Sequence, residues 1–151
     1  NGAAGEMHFK MRTDKHRKCT CGSWDCFEAY ASGTGLKNTA EEMLKSPDVT
    51  TYDVIEGMQK GDAIMTDVFN KWQEDILNGL IGLVNIFDPD VIVLSGSMAK
   101  FTDTDYLERE VNAQIVTTPA KIVLAQAGNY SGMIGAALLA MGVGLNSCGK
   151  Y

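Results

Sequence analysis

Cys19, Cys21 and Cys26 place three thiols within eight residues, and His8 lies a short way upstream. Three thiolates and one imidazole are the soft donor set that tetrahedral zinc takes in structural sites. The spacing suits a small loop, because Gly22 lets the chain turn directly after Cys21. Cys26 stands near an expected helix start, where the backbone dipole favours a thiolate. His16, three residues before Cys19, is a rival to His8 as fourth ligand. The competing reading is a set of buried or redox-active cysteines without metal. Cys148 lies in a glycine-bearing tail and reads as a free thiol.

Elements of regular structure must hold these residues. Asp25-Cys26-Phe27-Glu28 has capping-box spacing, with Asp25 as N-cap and Glu28 at the third helical position. The spacing predicts a short helix to Ala31, stopped by Ser32-Gly33-Thr34-Gly35. Leu36–Lys45 is helical in propensity and is ended by Ser46-Pro47. Thr50 or Thr51 caps another helix to Gln59. From Asp62 to Phe87, the residues Met65, Phe69, Trp72, Ile76, Leu80, Leu83, Val84 and Phe87 form one helical stripe. Gly79 and Gly82 would allow close backbone approach to that long helix. Val91–Leu94 reads as a strand covered on both faces. Ser95-Gly96-Ser97 makes a tight turn, Asp103–Ile115 a helix, Lys121–Leu124 a second strand and Ser131–Met141 a small-residue helix. The β-α-β order implies an α/β fold with a parallel strand pair.

Composition bounds the function. The 151 residues are 45% hydrophobic and 21% charged, as expected of one globular domain that folds without a disulfide scaffold. No apolar run approaches the roughly 20 residues that a bilayer crossing needs. The net charge of −6 disfavours a dedicated nucleic-acid-binding module. One basic run, Lys10, Arg12, Lys15, Arg17 and Lys18 against Asp14 alone, reads as a solvated face. Clustered cysteines in such a domain point to a reducing compartment and hence to a cytoplasmic protein. The opening Asn1-Gly2-Ala3-Ala4-Gly5 lacks an initiator Met and any leader pattern, and reads as the interior of a loop in a longer protein.

The run Cys19-Thr20-Cys21-Gly22-Ser23-Trp24-Asp25-Cys26-Phe27-Glu28-Ala29-Tyr30-Ala31-Ser32 resembles the C-x-C-G-x-x-G-C-x-E-x-x-A-S signature of the ROK family (repressors, open reading frames and kinases). Asn1–His8 is similar to the family's N-G-x-A-G-E-x-G-H, without its last glycine. Asp25 replaces a glycine of the signature. Residues 87–97 resemble the P-x-x-I-V-L-G-G-G strand and loop, with Ser95 and Ser97 in place of two glycines. Gly128-Asn129-Tyr130-Ser131-Gly132-Met133-Ile134-Gly135-Ala136-Ala137 resembles the last nucleotide-side helix.

The resemblance implies the C-terminal lobe of the actin-like, ribonuclease-H-like sugar kinase fold. Residues 1–35 would carry the zinc and sugar-site loop, residues 36–87 the helical part and residues 88–142 the nucleotide side. It implies an ATP-dependent hexose kinase, glucokinase-like, with structural Zn²⁺, ATP and Mg²⁺ as cofactors. Glu6, His8 and Glu28 would contact sugar hydroxyls. His8 would also ligate zinc together with Cys19, Cys21 and Cys26. Ser95, Gly96, Ser97, Gly128 and Asn129 would lie against the nucleotide. Against these roles stand simpler ones: Glu28 as a helix cap and Glu6 as a solvated loop carboxylate. The family's D-x-G-G-T loop and its general-base aspartate do not occur here, so no catalytic base is expected in this chain. The resemblance further implies a homodimer, with hexose and ATP as ligands and no membrane partner. Two alternatives follow: a sugar-sensing transcriptional repressor of the same family, and a zinc-binding nucleic-acid interaction module using the basic run.

Overall fold

A computed structural model describes residues 4–8 and 16–142 of the chain. Cys148 and the residues Lys10, Arg12 and Lys15 of the basic run lie outside these, as does the opening Asn1-Gly2-Ala3. In chain order the elements are α1 (Glu28–Ala31), α2 (Gly33–Leu44), α3 (Thr51–Gln59), α4 (Ala63–Phe87), β1 (Val91–Leu94), α5 (Thr104–Gln114), β2 (Lys121–Leu124) and α6 (Ser131–Ala140). Short 3-10 turns cover Ala4–Glu6, Ala99–Phe101 and Gly128–Tyr130.

The long helix α4 organises the core. Asp62 caps it by accepting from the backbone N–H groups of Ile64 and Met65. Phe69, Trp72, Ile76, Leu80 and Val84 of its stripe are buried against Leu36, Val54, Leu107 and Val111 of the neighbouring helices. Trp72 also donates its indole N–H to the Ser32 carbonyl at 3.0 Å, so the largest core side chain leaves no polar atom orphaned. Phe87, at the end of the stripe, is exposed instead. Of the two glycines, only Gly79 meets a close neighbour: a Cβ there would lie 2.1 Å from the Phe27 ring, whereas Gly82 faces open space.

Two expected boundaries are corrected. The first helix does stop at Ser32, as expected, but Gly33-Thr34-Gly35 are not loop: the Ser32 hydroxyl accepts from the Gly35 N–H and caps α2, which starts at Gly33 rather than Leu36. Gly35 is needed there because a Cβ would sit 2.1 Å from the Tyr30 carbonyl oxygen. Asp25 and Glu28 form no capping box. The residue ahead of α1 is Phe27, without a side-chain cap bond, and Asp25 is held in the left-handed region at φ 56°. At α3 the cap is Thr50, the first of the two expected candidates, and it forms a capping box with Asp53.

Strands β1 and β2 pair in parallel, Val91 opposite Lys121 and Leu94 opposite Leu124. Helix α5 covers one face and is tied to β2: Glu108 accepts from the Ile122 N–H at 3.0 Å, and Asn112 exchanges two hydrogen bonds with Ala120. The other face is open, contrary to the expectation of a strand covered twice. Val91 and Val93 are 49% and 57% exposed, because α6 leaves Ile134, Leu138 and Leu139 exposed as well. A helix apolar on every side is a helix built to be buried, so this face awaits cover.

Candidate functional site

The cysteine loop is a tight excursion between two short backbone pairings. Lys18 bridges Trp24, and His8 bridges Cys26, both antiparallel. The Phe27 N–H donates to the Met7 carbonyl at 2.9 Å, which lays residues 6–8 against the start of α1. Gly22, at φ 95°, makes the turn between Cys19 and Ser23. This wiring brings the donor atoms of Glu6, Cys19, Cys21 and Cys26 within 4.8 Å of one another. The Cys21 and Cys26 sulfurs are 3.6 Å apart. Tetrahedral coordination at a Zn–S distance of ~2.3 Å puts sulfurs ~3.8 Å apart, close to the separation of this pair.

The fourth donor in this cluster is the Glu6 carboxylate. The expected imidazole of His8 is not brought into it: its Nδ1 lies 3.1 Å from the Trp24 carbonyl, on an exposed side chain. His16, the rival ligand, is engaged elsewhere, with its Nδ1 2.5 Å from Asp25 Oδ2. In this geometry the Cys19 and Cys26 thiols are held protonated. The Cys21 backbone N–H pulls the Cys19 thiol down, but burial and the Glu28 carboxylate outweigh it and push the thiol up to about 12. Burial and the Cys21 thiol likewise raise Cys26. Hydrogen bonds from Cys21 and Cys19 lower Glu6. A bound divalent cation would invert this order by favouring the thiolates.

What fixes the loop against α2 is Arg17, which is buried rather than part of a solvated face. Its guanidinium donates to Glu42 at 2.9 Å, to the carbonyls of Ala29 and Gly35, and to the Thr39 hydroxyl, and it stacks over the Tyr30 ring. Asp25 completes the arrangement. It accepts from the Arg17 backbone N–H at 3.0 Å and from the Tyr30 hydroxyl at 2.5 Å. Burial works against the charged form of Asp25, but His16, Tyr30 and the Arg17 N–H outweigh it and hold the carboxyl well below its ordinary range.

Released from any capping duty, the Glu28 carboxylate accepts from Cys19 Sγ at 3.1 Å and from the Thr20 hydroxyl at 3.3 Å. It also lines a cavity of about 460 Å³, and Ser97 is among the other residues that line it. Ser97 in turn belongs with Ser95, Gly96 and Gly128 to an adjacent cavity of about 350 Å³. Its two loops are joined by the Ser95 hydroxyl, which donates to the Gly128 carbonyl at 3.2 Å. Gly96 (φ 109°) and Gly128 (φ 52°) adopt conformations that favour glycine, and both have open space where a Cβ would be. Asn129 follows Gly128 in the same turn, and its side chain lies outside the described residues.

The structure therefore gathers Glu28 and the two glycine turns around adjoining cavities, and Glu6 with the three thiols beside them. Lys37 and Tyr52 also line the cavity of Glu28 and were missed. Recognising Ser32 as a helix cap would have placed Lys37 in the second turn of α2; no sequence motif marks Tyr52.

The ROK family model matches residues 1–143. The chain belongs to the ROK family. It is 33% identical over 130 residues to an N-acetylgalactosamine kinase of Shewanella sp. (strain ANA-3), covering 83% of this chain and 41% of that protein. It is 30% identical over 162 residues to a glucokinase of Streptomyces coelicolor, covering 92% and 51%. Among solved structures, a ROK glucokinase from Streptomyces griseus in complex with glucose and AMPPNP superposes with TM-score 0.71 at 25% identity, over 89% of this chain and 50% of that one. A ROK transcriptional regulator shares the fold at 20% identity and TM-score 0.66, over 94% of this chain and 39% of that one. The chain thus spans about half the length of the curated relatives it matches. Its α/β architecture is that of the actin-like sugar kinases. Among the described residues no helix is long and apolar enough to cross a membrane.

Proposed function

We propose that this chain forms the sugar- and nucleotide-binding C-terminal lobe of an ATP-dependent hexose kinase. The observation that carries the reading is the cavity that Glu28 and Ser97 line together. A sugar hydroxyl held at Glu28 and a nucleotide held on the glycine turns would there approach each other, and phosphoryl transfer is chiefly a matter of such positioning. Glu28 accepts hydrogen bonds from sugar hydroxyls, with Glu6 and His8 on the same side. The backbone N–H groups of Ser95–Ser97 and Gly128–Asn129 approach the phosphates, and Mg²⁺ accompanies the nucleotide. The general base belongs to the other lobe.

Cys19, Cys21 and Cys26, with Glu6 or His8 as fourth donor, would hold a structural zinc. Residues 6–8 and the cysteine loop would be tied together by sharing that ion, which would steady the sugar-side residues. Metal analysis is expected to give about one zinc per chain. A Cys19→Ser/Cys21→Ser variant that keeps its full zinc content would overturn the assignment.

The kinase reading is tested by ADP release from ATP·Mg²⁺ by the natural full-length protein, over a panel of hexoses and N-acetylhexosamines. Sugar-dependent turnover supports it and names the substrate. No turnover with any sugar, together with sugar-sensitive DNA binding, would replace it with the repressor that shares this fold. A nucleic-acid module built on the basic run is disfavoured, because Arg17 is committed to the interior.

A further inference from the structure

Tyr52 stands in neither the metal cluster nor the glycine turns. Yet it is a wall of both cavities described above, and Ser97 is the other residue that serves both sides of the junction. Its side chain is 64% exposed, an aromatic ring with no share in the core. A lone exposed aromatic is ordinary. This one is singled out by where it is held.

The holding is rigid. Tyr52 is the second residue of α3, whose first turn is closed on both sides: the Asp53 N–H donates to the Thr50 hydroxyl, and the Asp53 carboxylate accepts from the Thr50 N–H at 2.8 Å. Val54 and Ile55, just beyond, are buried and anchor the helix to the core. The ring is therefore presented from a fixed backbone to the space in front of Gly96 and Gly128. Nothing in the core depends on it.

A flat ring beside two glycine turns suits a ligand with a planar face and a phosphate chain. The turns take the phosphates through backbone N–H groups, and a base can stack on the ring. We infer that Tyr52 is a nucleotide-contacting residue, the platform on which the base of the nucleoside triphosphate stacks. This rests on the kinase reading above and adds a residue that the family motifs do not mark.

The test is equilibrium binding of ATP·Mg²⁺ to the natural full-length protein by calorimetry, for wild type, Tyr52→Ala and Tyr52→Phe. Loss of a stacking ring is expected to weaken ATP binding about five- to 100-fold in Tyr52→Ala. Tyr52→Phe, which keeps the ring, should stay near wild type. The thermal midpoint should not move in either variant, which a merely structural role would not achieve alongside a loss of ATP binding. Tyr52→Ala binding ATP as tightly as wild type would overturn the inference and leave the kinase reading standing. Tyr52→Phe as weak as Tyr52→Ala would overturn the stacking contact. A wild-type protein that binds no ATP would overturn the kinase reading and this inference together.

Discussion

Replacing Asp25 by glycine sets two effects against each other. The ROK signature has glycine at this place, and Asp25 adopts φ 56°, so Asp25→Gly relieves a left-handed conformation costing about 1 kcal/mol for an L-residue. The same change removes a carboxylate that is 2% exposed and accepts from the Tyr30 hydroxyl, the Arg17 backbone N–H and His16. His16 is half exposed and turns to water at little cost. The other two donors are buried, and each orphaned buried donor costs about 1–3 kcal/mol. Taking about 2 kcal/mol for each, the loss exceeds the relief, and the net destabilisation is about 3 kcal/mol. For a domain of this size that lowers the thermal midpoint by about 6–12 °C. Asp25→Asn keeps a side chain that tolerates the left-handed region and retains an acceptor for Tyr30, so it should fall between wild type and Asp25→Gly. Thermal unfolding of the three proteins, with zinc and after chelation, is the assay. An Asp25→Gly protein as stable as wild type in both conditions would refute the reasoning, because backbone relief would then outweigh the buried acceptors.

The two kinds of helical glycine should separate cleanly: Gly35→Ala forces a Cβ to within 2.1 Å of a backbone oxygen and is expected to destabilise by about 3 kcal/mol. Gly82→Ala meets nothing within 4 Å and should stabilise α4 by about 0.5–1 kcal/mol, both read by denaturant titration. Lys121 and the Ile122 N–H hold Glu108 below its ordinary value of 4.5, so its contribution is present above that pH and lost as the pH falls through the lowered value. The gap in thermal midpoint between wild type and Glu108→Gln should therefore close in acid; a gap that widens below pH 4.5 would show that the pair does not act this way.

Local rules read much of the chain correctly. Asp62, Thr50 and Asp103 are short polar residues ahead of apolar periodic runs, and each caps the helix expected after it. The strands were legible from unbroken apolar runs between turn residues. The errors arise where tertiary contacts override local signals. Asp25 has the chemistry of a cap, but a buried Tyr30 hydroxyl and the Arg17 N–H compete for its carboxylate and win. Gly33 and Gly35 look like breakers until the nearby Tyr30 carbonyl explains why the first turn of α2 needs one of them. Arg17 is indistinguishable in sequence from its solvated neighbours, and only the ring of acceptors from α1 and α2 marks it as interior. In the site, the three thiols were legible from spacing alone. The fourth donor was not, because whether Glu6 or His8 faces the thiols depends on how residues 6–8 pair with Cys26 and Phe27. Tyr52 and Lys37 reach the Glu28 cavity only through the packing of α2 and α3.

The central claim is that a sugar is held at Glu28 beside a nucleotide held on the glycine turns. Steady-state kinetics of wild type and Glu28→Gln in the natural full-length protein, with sugar and ATP varied separately, tests it most directly. Loss of a charged acceptor to a substrate hydroxyl is worth about 1.5–3 kcal/mol, so kcat/KM for the sugar should fall about 10- to 100-fold while KM for ATP stays near wild type. Unchanged sugar kinetics in Glu28→Gln, or a loss confined to ATP, would contradict the account.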